Sequence, residues 1–306
     1  MTIGIAIHAP QAAQLALAAL RAVEQIGRGA IGGFVSLRAI GPDNTLLGLE
    51  TQRGGAAALG AILWPTGLAK AQHVVLMSSG PDRPEPLAQF TPAKAGVGLV
   101  TGHRLPNMRD AAGSAPNLRA LALLERGVLP ETAVAQVLAQ DPQSDAGLIA
   151  LDMAGRIGIG NSALVAARDD LGASILRTHD LQMGVLHNSI YPHDIIAPLA
   201  IATAQDKLAP IDRAEHHSRA IGLPIHSSAP RRALILDDAS GAPARIETPD
   251  PNWQTDQYEG APLMRGDPVI RRNDVIGRIR VEVYGIACAG RIAATRGQEL
   301  FGWCNV

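Results

Sequence analysis

The chain has 306 residues, of which 47% are hydrophobic and 18% charged, and its 27 basic and 28 acidic side chains give a formal net charge of −1. This composition supplies one large or two modest hydrophobic cores and excludes an intrinsically disordered chain. The balanced charge excludes nucleic-acid binding as a main activity, and no apolar run reaches the ~18 residues that a membrane span needs.

The hydrophobic pattern predicts strands that alternate with helices, and hairpins rather than single crossovers. In chain order, we expect a strand over residues 3–8, a helix over 11–26, a hairpin over 31–50, strands over 73–77 and 96–101, helices over 116–126 and 130–140, and a hairpin over 147–161. Pro116 and Pro130 suit the first turn of a helix, and Gly127 suits a helix end. The order predicts an α/β (α+β) fold with mainly antiparallel sheets.

The composition changes after about residue 186, where His, Pro and Arg become frequent. Strand-like runs over residues 233–236 and 275–287 are separated there by polar, Pro-rich connections. We therefore predict a first domain over residues 1–185. Residues 186–306 form a C-terminal mixed α/β region, either a separate extension or an integral part of the same domain.

Several segments resemble a known superfamily in sequence and in order. They are GAIGGFVSL (residues 29–37), LLGLETQRGG (46–55), the Thr-Gly-His triplet at 101–103, the helix pair, and the hairpin that begins at residue 146. Together they resemble the N-terminal-nucleophile hydrolases of the plant-type asparaginase and isoaspartyl peptidase group and, more distantly, gamma-glutamyltransferases and an uncharacterised bacterial branch. The resemblance implies a four-layer αββα sandwich over the first domain and hydrolysis of an amide bond.

The nucleophile position departs from the pattern of this superfamily. Related enzymes free a Thr by self-cleavage, and its own α-amine then serves as the base. The alignment puts Ala30 where that Thr belongs, and a methyl group cannot attack a carbonyl. Three interpretations remain: the chain has lost the chemistry, the nucleophile is Thr2 after removal of Met1, or another hydroxyl such as Ser36 or Thr51 acts with a histidine base.

Thr101 and Gly102 match the Thr-Gly pair that binds substrate or supplies oxyanion donors in the related enzymes. A backbone N–H at a Gly turn can come close to a developing negative charge. The alternative is that Gly102 only permits a bend after the strand over residues 96–101. Thr2, Thr101 and Gly102 are therefore the candidate catalytic residues.

Candidate substrate-binding residues are the cations that match or follow these motifs. Arg53 lies after the first hairpin, where related enzymes place an arginine that grips a substrate carboxylate. His103 and Arg104 replace the acidic residue that follows the Thr-Gly pair, and with Arg109 they would suit an anionic group. The alternatives are a surface arginine at a turn and a solvated basic loop.

Most of the nine histidines fall in the later part of the chain. The relevant positions are His187, His193, His216, His217 and His226. Their spacing matches no metal-binding motif, so we predict neither a metal site nor a cofactor. Cys288 and Cys304 are expected to be reduced thiols of a cytoplasmic protein, and the N-terminal segment lacks a secretory signal.

The sequence leaves two functions open. One is an amide-bond hydrolase for a small carboxylate-bearing substrate, and the other is an inactive or repurposed ligand-binding protein on the same fold. The expected partner is a small molecule rather than nucleic acid or membrane. The related enzymes are commonly oligomeric, so a homodimer is also expected.

Overall fold

The structure, a computed structural model, describes residues 1–110, 113–208, 215–227 and 229–305. Contacts divide the chain into two units, Met1–Leu208 and Ala209–Val306. The predicted class, mixed α/β with mainly antiparallel sheets, is confirmed. Within the described ranges, no helix combines the length and the apolar character required to cross a bilayer.

The first unit alternates strands and helices. Its elements are β1 (Thr2–His8), α1 (Ala12–Ile26), β2 (Val35–Ile40), β3 (Leu46–Thr51), α2 (Gly55–Ala61), β4 (His73–Ser79), β5 (Ala93–Lys94), β6 (Gly98–Arg104), α3 (Pro116–Glu125), α4 (Pro130–Gln140), β7 (Ala146–Asp152), β8 (Ile157–Asn161), α5 (Ala163–Ala166), β9 (Leu171–Arg177), β10 (Gln182–Asn188) and α6 (His193–Leu208).

One sheet of the first unit has the strand order β3-β2-β4-β1-β10-β9, and another has the order β5-β6-β7-β8. Side chains alternate along β1, so Ile3, Ile5 and Ile7 pack in a core that also contains apolar residues of α1 and α6. Ala6 faces the opposite way and joins a core with Leu99 and other residues of the second sheet. Strand β1 is therefore central, with helices on one face and another sheet on the other.

The second sheet carries α3 and α4. Val100 of β6 and Leu148 of β7 lie in one core with the apolar faces of these two helices. Pro116 and Pro130 each occupy the first helical turn, as the sequence predicted, because a proline there gives up no helical hydrogen bond. These helices thus cover the face of β6 and β7 that points away from β1.

Two sequence predictions need correction. Strand β6 continues through Thr101 and Gly102 to Arg104, so there is no bend at Gly102. A Cβ on Gly4 would lie 2.4 Å from the Gly102 carbonyl oxygen, so the two glycines allow close approach of β1 and β6. The boundary predicted after residue 185 is also too early, because β10 pairs with β1 and α6 packs against α1 within the first unit.

The second unit is rich in strands. Its elements are β11 (Glu215–Arg219), β12 (Ile225–His226), β13 (Ala233–Leu236), β14 (Pro243–Glu247), β15 (Tyr258–Gly260), β16 (Pro268–Arg271), β17 (Asp274–Val281), β18 (Gly285–Cys288), β19 (Arg291–Thr295) and β20 (Leu300–Asn305). The sheet orders are β11-β20-β17-β16-β13-β14-β12 and β15-β18-β19. Trp253, Phe301 and Trp303 lie in its core.

Candidate functional site

Polar side chains meet where strand β1 begins. Thr2 is the first residue of β1, and it lies opposite Ser79 of β4 on one side and Asn188 of β10 on the other. Thr2 shares the face of β1 that carries Gly4 and Ala6, so its side chain points toward the second sheet. With only 1% of its surface exposed, Thr2 is held in a defined position.

The Thr2 hydroxyl has both a donor and an acceptor partner. Its Oγ1 donates to Asn188 Oδ1 at 2.7 Å and accepts from the backbone N–H of Arg104 at 2.5 Å. Arg104 has a φ of +63°, in the left-handed region, and it ends β6 at this point. A backbone N–H directed at Oγ1 would stabilise negative charge that develops on that oxygen.

A buried imidazole extends this hydrogen-bond network. His103 Nε2 lies 2.7 Å from Asn161 Oδ1, and His103 Nδ1 lies 3.3 Å from Asn188 Oδ1. The His103 ring is fully buried, and burial lowers its pKa, while the contacts with Asn161 and Asn188 act on the pKa in the opposite direction. His103 thus lies in contact with Asn188, the residue that accepts from Thr2.

Charged groups surround the same end of β1. The Arg104 guanidinium binds Asp145, with Nη2 2.8 Å from Oδ2, and Arg168 Nε lies 2.7 Å from Asp170 Oδ1. Arg168 holds the pKa of the Asp170 carboxyl far below its usual range, helped by a hydrogen bond from the Ser189 hydroxyl. Each of these cations is therefore matched by a carboxylate.

Arg83 is a further cation at this site. Its Nε donates to Ser79 Oγ at 3.1 Å, and Ser79 is the cross-strand neighbour of Thr2. The amide side chain of Gln52 binds the Arg83 backbone, accepting from its N–H at 2.9 Å and donating to its carbonyl at 2.7 Å. Burial lowers the pKa of the Arg83 guanidinium.

Met1 precedes Thr2 and is itself 41% exposed. Burial lowers the pKa of the Met1 amino group, and the charges of Arg83 and Arg104 lower it further. The Met1 sulfur accepts from the backbone N–H of Ala30 at 2.7 Å. Ala30 itself lies before β2 begins at Val35, in an exposed loop, and its backbone N–H contacts the Met1 side chain.

The structure brings some of the predicted site residues together and separates others. Thr2, His103 and Arg104 share one network, although Arg104 contributes its backbone N–H while its guanidinium is bound to Asp145. Thr101 is buried in the middle of β6, where its hydroxyl donates to the Leu76 carbonyl at 3.1 Å. Gly102 lies in the ladder between β6 and β7.

The remaining predicted cations lie outside this network. Arg53 is 83% exposed, and its guanidinium binds Asp82 with Nη2 2.8 Å from Oδ2. Arg109 donates to the Gly113 carbonyl at 2.6 Å in another loop. Neither side chain is held by the residues that contact Thr2.

The other hydroxyls named as alternative nucleophiles have different surroundings. Ser36 is fully buried, and its Oγ lies 2.7 Å from the Thr91 hydroxyl. The Thr51 hydroxyl donates to the Arg53 carbonyl at 2.7 Å within an exposed turn. Thr2 is the hydroxyl that combines burial, a backbone donor and a position at a strand head.

Sequence reasoning missed Asn188 and Arg83. Asn188 is 186 residues from Thr2 along the chain, and only the pairing of β10 with β1 joins them. A usable signal was the apolar run over residues 183–186, which is followed by polar residues. A strand of that kind places its polar residues together at one end of the sheet. Arg83 lies in the Pro-rich segment over residues 81–86, which composition alone marks as a surface loop.

The histidines of the later chain are dispersed. His187 is buried in β10, and burial lowers its pKa to about 4. In the second unit the His216 ring stacks on Trp303 with centroids 4.0 Å apart. Among the residues that the structure describes, no group of three or more His, Cys, Asp or Glu side chains could hold a metal ion.

Comparison with protein families gave two matches. A model described as a domain of unknown function (DUF6963) matches residues 2–217, and one described as a domain of unknown function (DUF7259) matches residues 222–300. No curated protein matches the chain. The first match spans every residue of the Thr2 network, so the network lies within one family domain.

Proposed function

The chain belongs to the family of the domain of unknown function DUF6963, and we propose from the geometry of the Thr2 site that it is an amide-bond hydrolase. Its nucleophile is Thr2 after cleavage of the Met1–Thr2 bond. We also infer a four-layer αββα arrangement for the first unit. Its support is the apolar core between the two sheets together with the helices packed on their outer faces. The substrate class proposed is a small amide that carries a carboxylate.

One observation carries the proposal: the Thr2 hydroxyl at the head of a central strand is already aligned by partners. Oγ1 donates to Asn188 Oδ1 at 2.7 Å and accepts from the Arg104 N–H at 2.5 Å. A hydroxyl becomes a useful nucleophile when a base can take its proton and a donor stabilises the oxygen. Cleavage after Met1 would add the base, because it frees the α-amine of the same residue.

The surroundings favour a neutral amine. Burial and the charges of Arg83 and Arg104 lower the pKa of the Met1 amino group, while Asp170 raises it by a smaller amount. The freed Thr2 amine would lie one residue along the chain, close to the same groups. An amine with a lowered pKa is in its proton-accepting form over more of the range near about pH 7.

The reaction follows from these positions. Thr2 Oγ1 forms a bond with the amide carbon while its proton passes to the Thr2 amine. The carbon–nitrogen bond then breaks, and the leaving nitrogen takes that proton. Water hydrolyses the resulting ester and restores the Thr2 hydroxyl. The Ala30 N–H, which donates to the Met1 sulfur at 2.7 Å, would lose this acceptor when Met1 is removed and would then donate to a substrate oxygen.

The test uses a chain in which a removable leader peptide precedes Thr2, so that cutting the leader exposes the Thr2 amine. We expect the leader-bearing chain to release no ammonia from a panel of small amides, and the chain cut to expose Thr2 to release it. Thr2→Ala, cut in the same way, should be slower by roughly 1,000-fold or more, because it lacks the attacking oxygen. Thr2→Ser keeps that oxygen and should retain measurable turnover. Turnover by the Thr2→Ala chain would refute the assignment.

A ligand-binding protein without catalysis is the second candidate. The closed state of the site favours it, because Thr2 is only 1% exposed and no hydroxyl is present at Ala30. In that case the chain cut before Thr2 would bind an amide without releasing ammonia. Intact mass of the purified chain gives a first indication, since a chain that retains Met1 has no free Thr2 amine.

A further inference from the structure

Arg83 differs from the other arginines around Thr2 in its charge partners. Arg104 is bound to Asp145, and Arg168 is bound to Asp170. Within the described part of the chain, no carboxylate forms an ion pair with Arg83, although its side chain is half-buried. A guanidinium that has lost part of its hydration without gaining a carboxylate is suited to bind an anionic group from outside the protein.

The Arg83 side chain is also held in place before any ligand arrives. Gln52 grips the Arg83 backbone through two hydrogen bonds of 2.9 Å and 2.7 Å, and Ser79 Oγ accepts from Nε at 3.1 Å. These contacts use Nε and the backbone and leave the terminal nitrogens of the guanidinium for a ligand. A preorganised arginine loses less conformational freedom when it binds a carboxylate in a bidentate manner.

The position of Arg83 relates it to the nucleophile. Ser79, which holds the guanidinium, lies directly opposite Thr2 in the pairing of β4 with β1. Among the charged groups that act on the Met1 amino group, Arg83 has the largest effect. An anion bound by Arg83 would therefore lie beside the atoms that Thr2 presents to a substrate.

We propose that Arg83 binds a carboxylate group of the substrate, at a fixed distance from the amide that Thr2 attacks. The inference rests on the proposed function for the role of Thr2, but the carboxylate site is a binding property of its own. It assigns to Arg83 the carboxylate recognition that the sequence suggested for Arg53, whose guanidinium is already bound to Asp82. A short molecule with a carboxylate at one end and an amide at the other fits both groups.

Succinamate and succinamide provide matched probes, because they differ only in whether one end is a carboxylate or an amide. With the chain cut to expose Thr2, we expect calorimetry to give at least about ten-fold tighter binding of succinamate. Arg83→Gln should remove this preference by weakening succinamate alone. Arg83→Lys keeps the charge without the bidentate geometry and should retain part of it. Arg53→Gln is the control and should change neither affinity.

A second measurement does not depend on whether the variants fold. Phenylglyoxal modifies accessible arginines, and peptide mass mapping should show that succinamate protects Arg83 while succinamide does not. Equal affinity of the unaltered chain for the two compounds, or an unchanged preference in folded Arg83→Gln, overturns the proposal. If succinamate binds through Arg83 but no amide is hydrolysed, the hydrolase proposal fails and the carboxylate site stands.

Discussion

The two ends of strand β1 place polar side chains on the same face, and they differ in how those side chains are used. At one end, Thr2 Oγ1 takes part in hydrogen bonds with Asn188 and the Arg104 N–H. At the other end, the rings of His8 and His73 are in contact, with centroids 4.4 Å apart and ring planes tilted by 35°. Both ends therefore bring buried polar groups against the second sheet.

The electrostatic surroundings separate the two ends. The Thr2 end has positive charge from Arg83 and one backbone N–H, that of Arg104, directed at the hydroxyl. At the histidine end, burial lowers the pKa of both rings, and His73 Nε2 lies 3.1 Å from the Met153 carbonyl. Under the proposed function the first end would stabilise charge that forms during the reaction, whereas the second end lowers the pKa of two imidazoles by burial.

The largest expected effect at the Thr2 end, apart from loss of the hydroxyl, comes from Asn188. Asn188→Leu preserves the approximate side-chain volume but removes the oxygen that accepts the hydrogen bond from the Thr2 hydroxyl. We expect kcat/KM for a cleaved amide to fall about 100-fold, since the hydroxyl loses its orientation. Steady-state ammonia release by the chain cut to expose Thr2 measures the effect.

The matched control is Asn188→Asp, which keeps an oxygen at the acceptor position and should retain more activity than Asn188→Leu. Both variants need a folded-state check by circular dichroism, because Asn188 also contacts His103 and Ser189. Wild-type kcat/KM in a folded Asn188→Leu chain would show that this hydrogen bond has no part in catalysis.

The local pattern of the sequence predicted much of the first unit. Strand β1, the helices α3 and α4, and the hairpin of β7 and β8 each follow from periodicity, first-turn prolines and turn residues within a short window. Helix α4 runs over the predicted residues 130–140. These elements are determined by neighbours in the chain, so one sequence contains enough information to locate them.

The site depends on information that no short window contains. Thr2 could be named as a candidate from its chemistry, but its acceptor Asn188 is brought to it by the return of β10 beside β1. Arg83 could not be distinguished from other loop arginines, because only the three-dimensional arrangement of the described residues shows that none of their carboxylates pairs with it. Conversely, Arg53 follows the first hairpin, where related enzymes place an arginine, yet its contact with Asp82 leaves it outside the network.

The next largest expected effect comes from substitution of Gly4, which lies between the two ends of β1. A Cβ at this position would lie 2.4 Å from the Gly102 carbonyl oxygen, which is backbone and cannot rotate away. Gly4→Ala should therefore lower the free energy of unfolding by about 2–3 kcal/mol, as overpacking does. Urea denaturation followed by circular dichroism measures this change.

Gly60→Ala in α2 is the matched control for Gly4→Ala. Its added Cβ would meet the end of the flexible Arg21 side chain at 2.9 Å, and alanine favours a helix more than glycine does. We expect its stability to be unchanged or slightly raised. Equal stability of the two variants would show that β1 and β6 need not approach as closely as the glycines permit.

The smallest effect concerns the pH dependence of stability at the histidine end. Burial, with the nearby charge of His8, lowers the pKa of His73 from 6.5 to about 4. The unfolded chain therefore binds a proton more readily than the folded chain. The stabilising difference is fully present above pH 6.5 and is lost as the pH falls from 6.5 toward about 4. His73 should account for about 2 kcal/mol of this loss, allowing for partial solvent screening.

His187 has a similarly lowered pKa, so the unaltered chain should be destabilised by acid through both residues. His73→Gln should therefore show a smaller loss of unfolding free energy between neutral and acid pH, with part of the loss remaining from His187. His179→Gln is the control, because the His179 side chain is 98% exposed. Urea denaturation at several pH values gives the comparison. If His73→Gln loses as much stability in acid as the unaltered chain, His73 is not kept neutral by the fold, and the contrast between the two ends of β1 would rest on the Thr2 end alone.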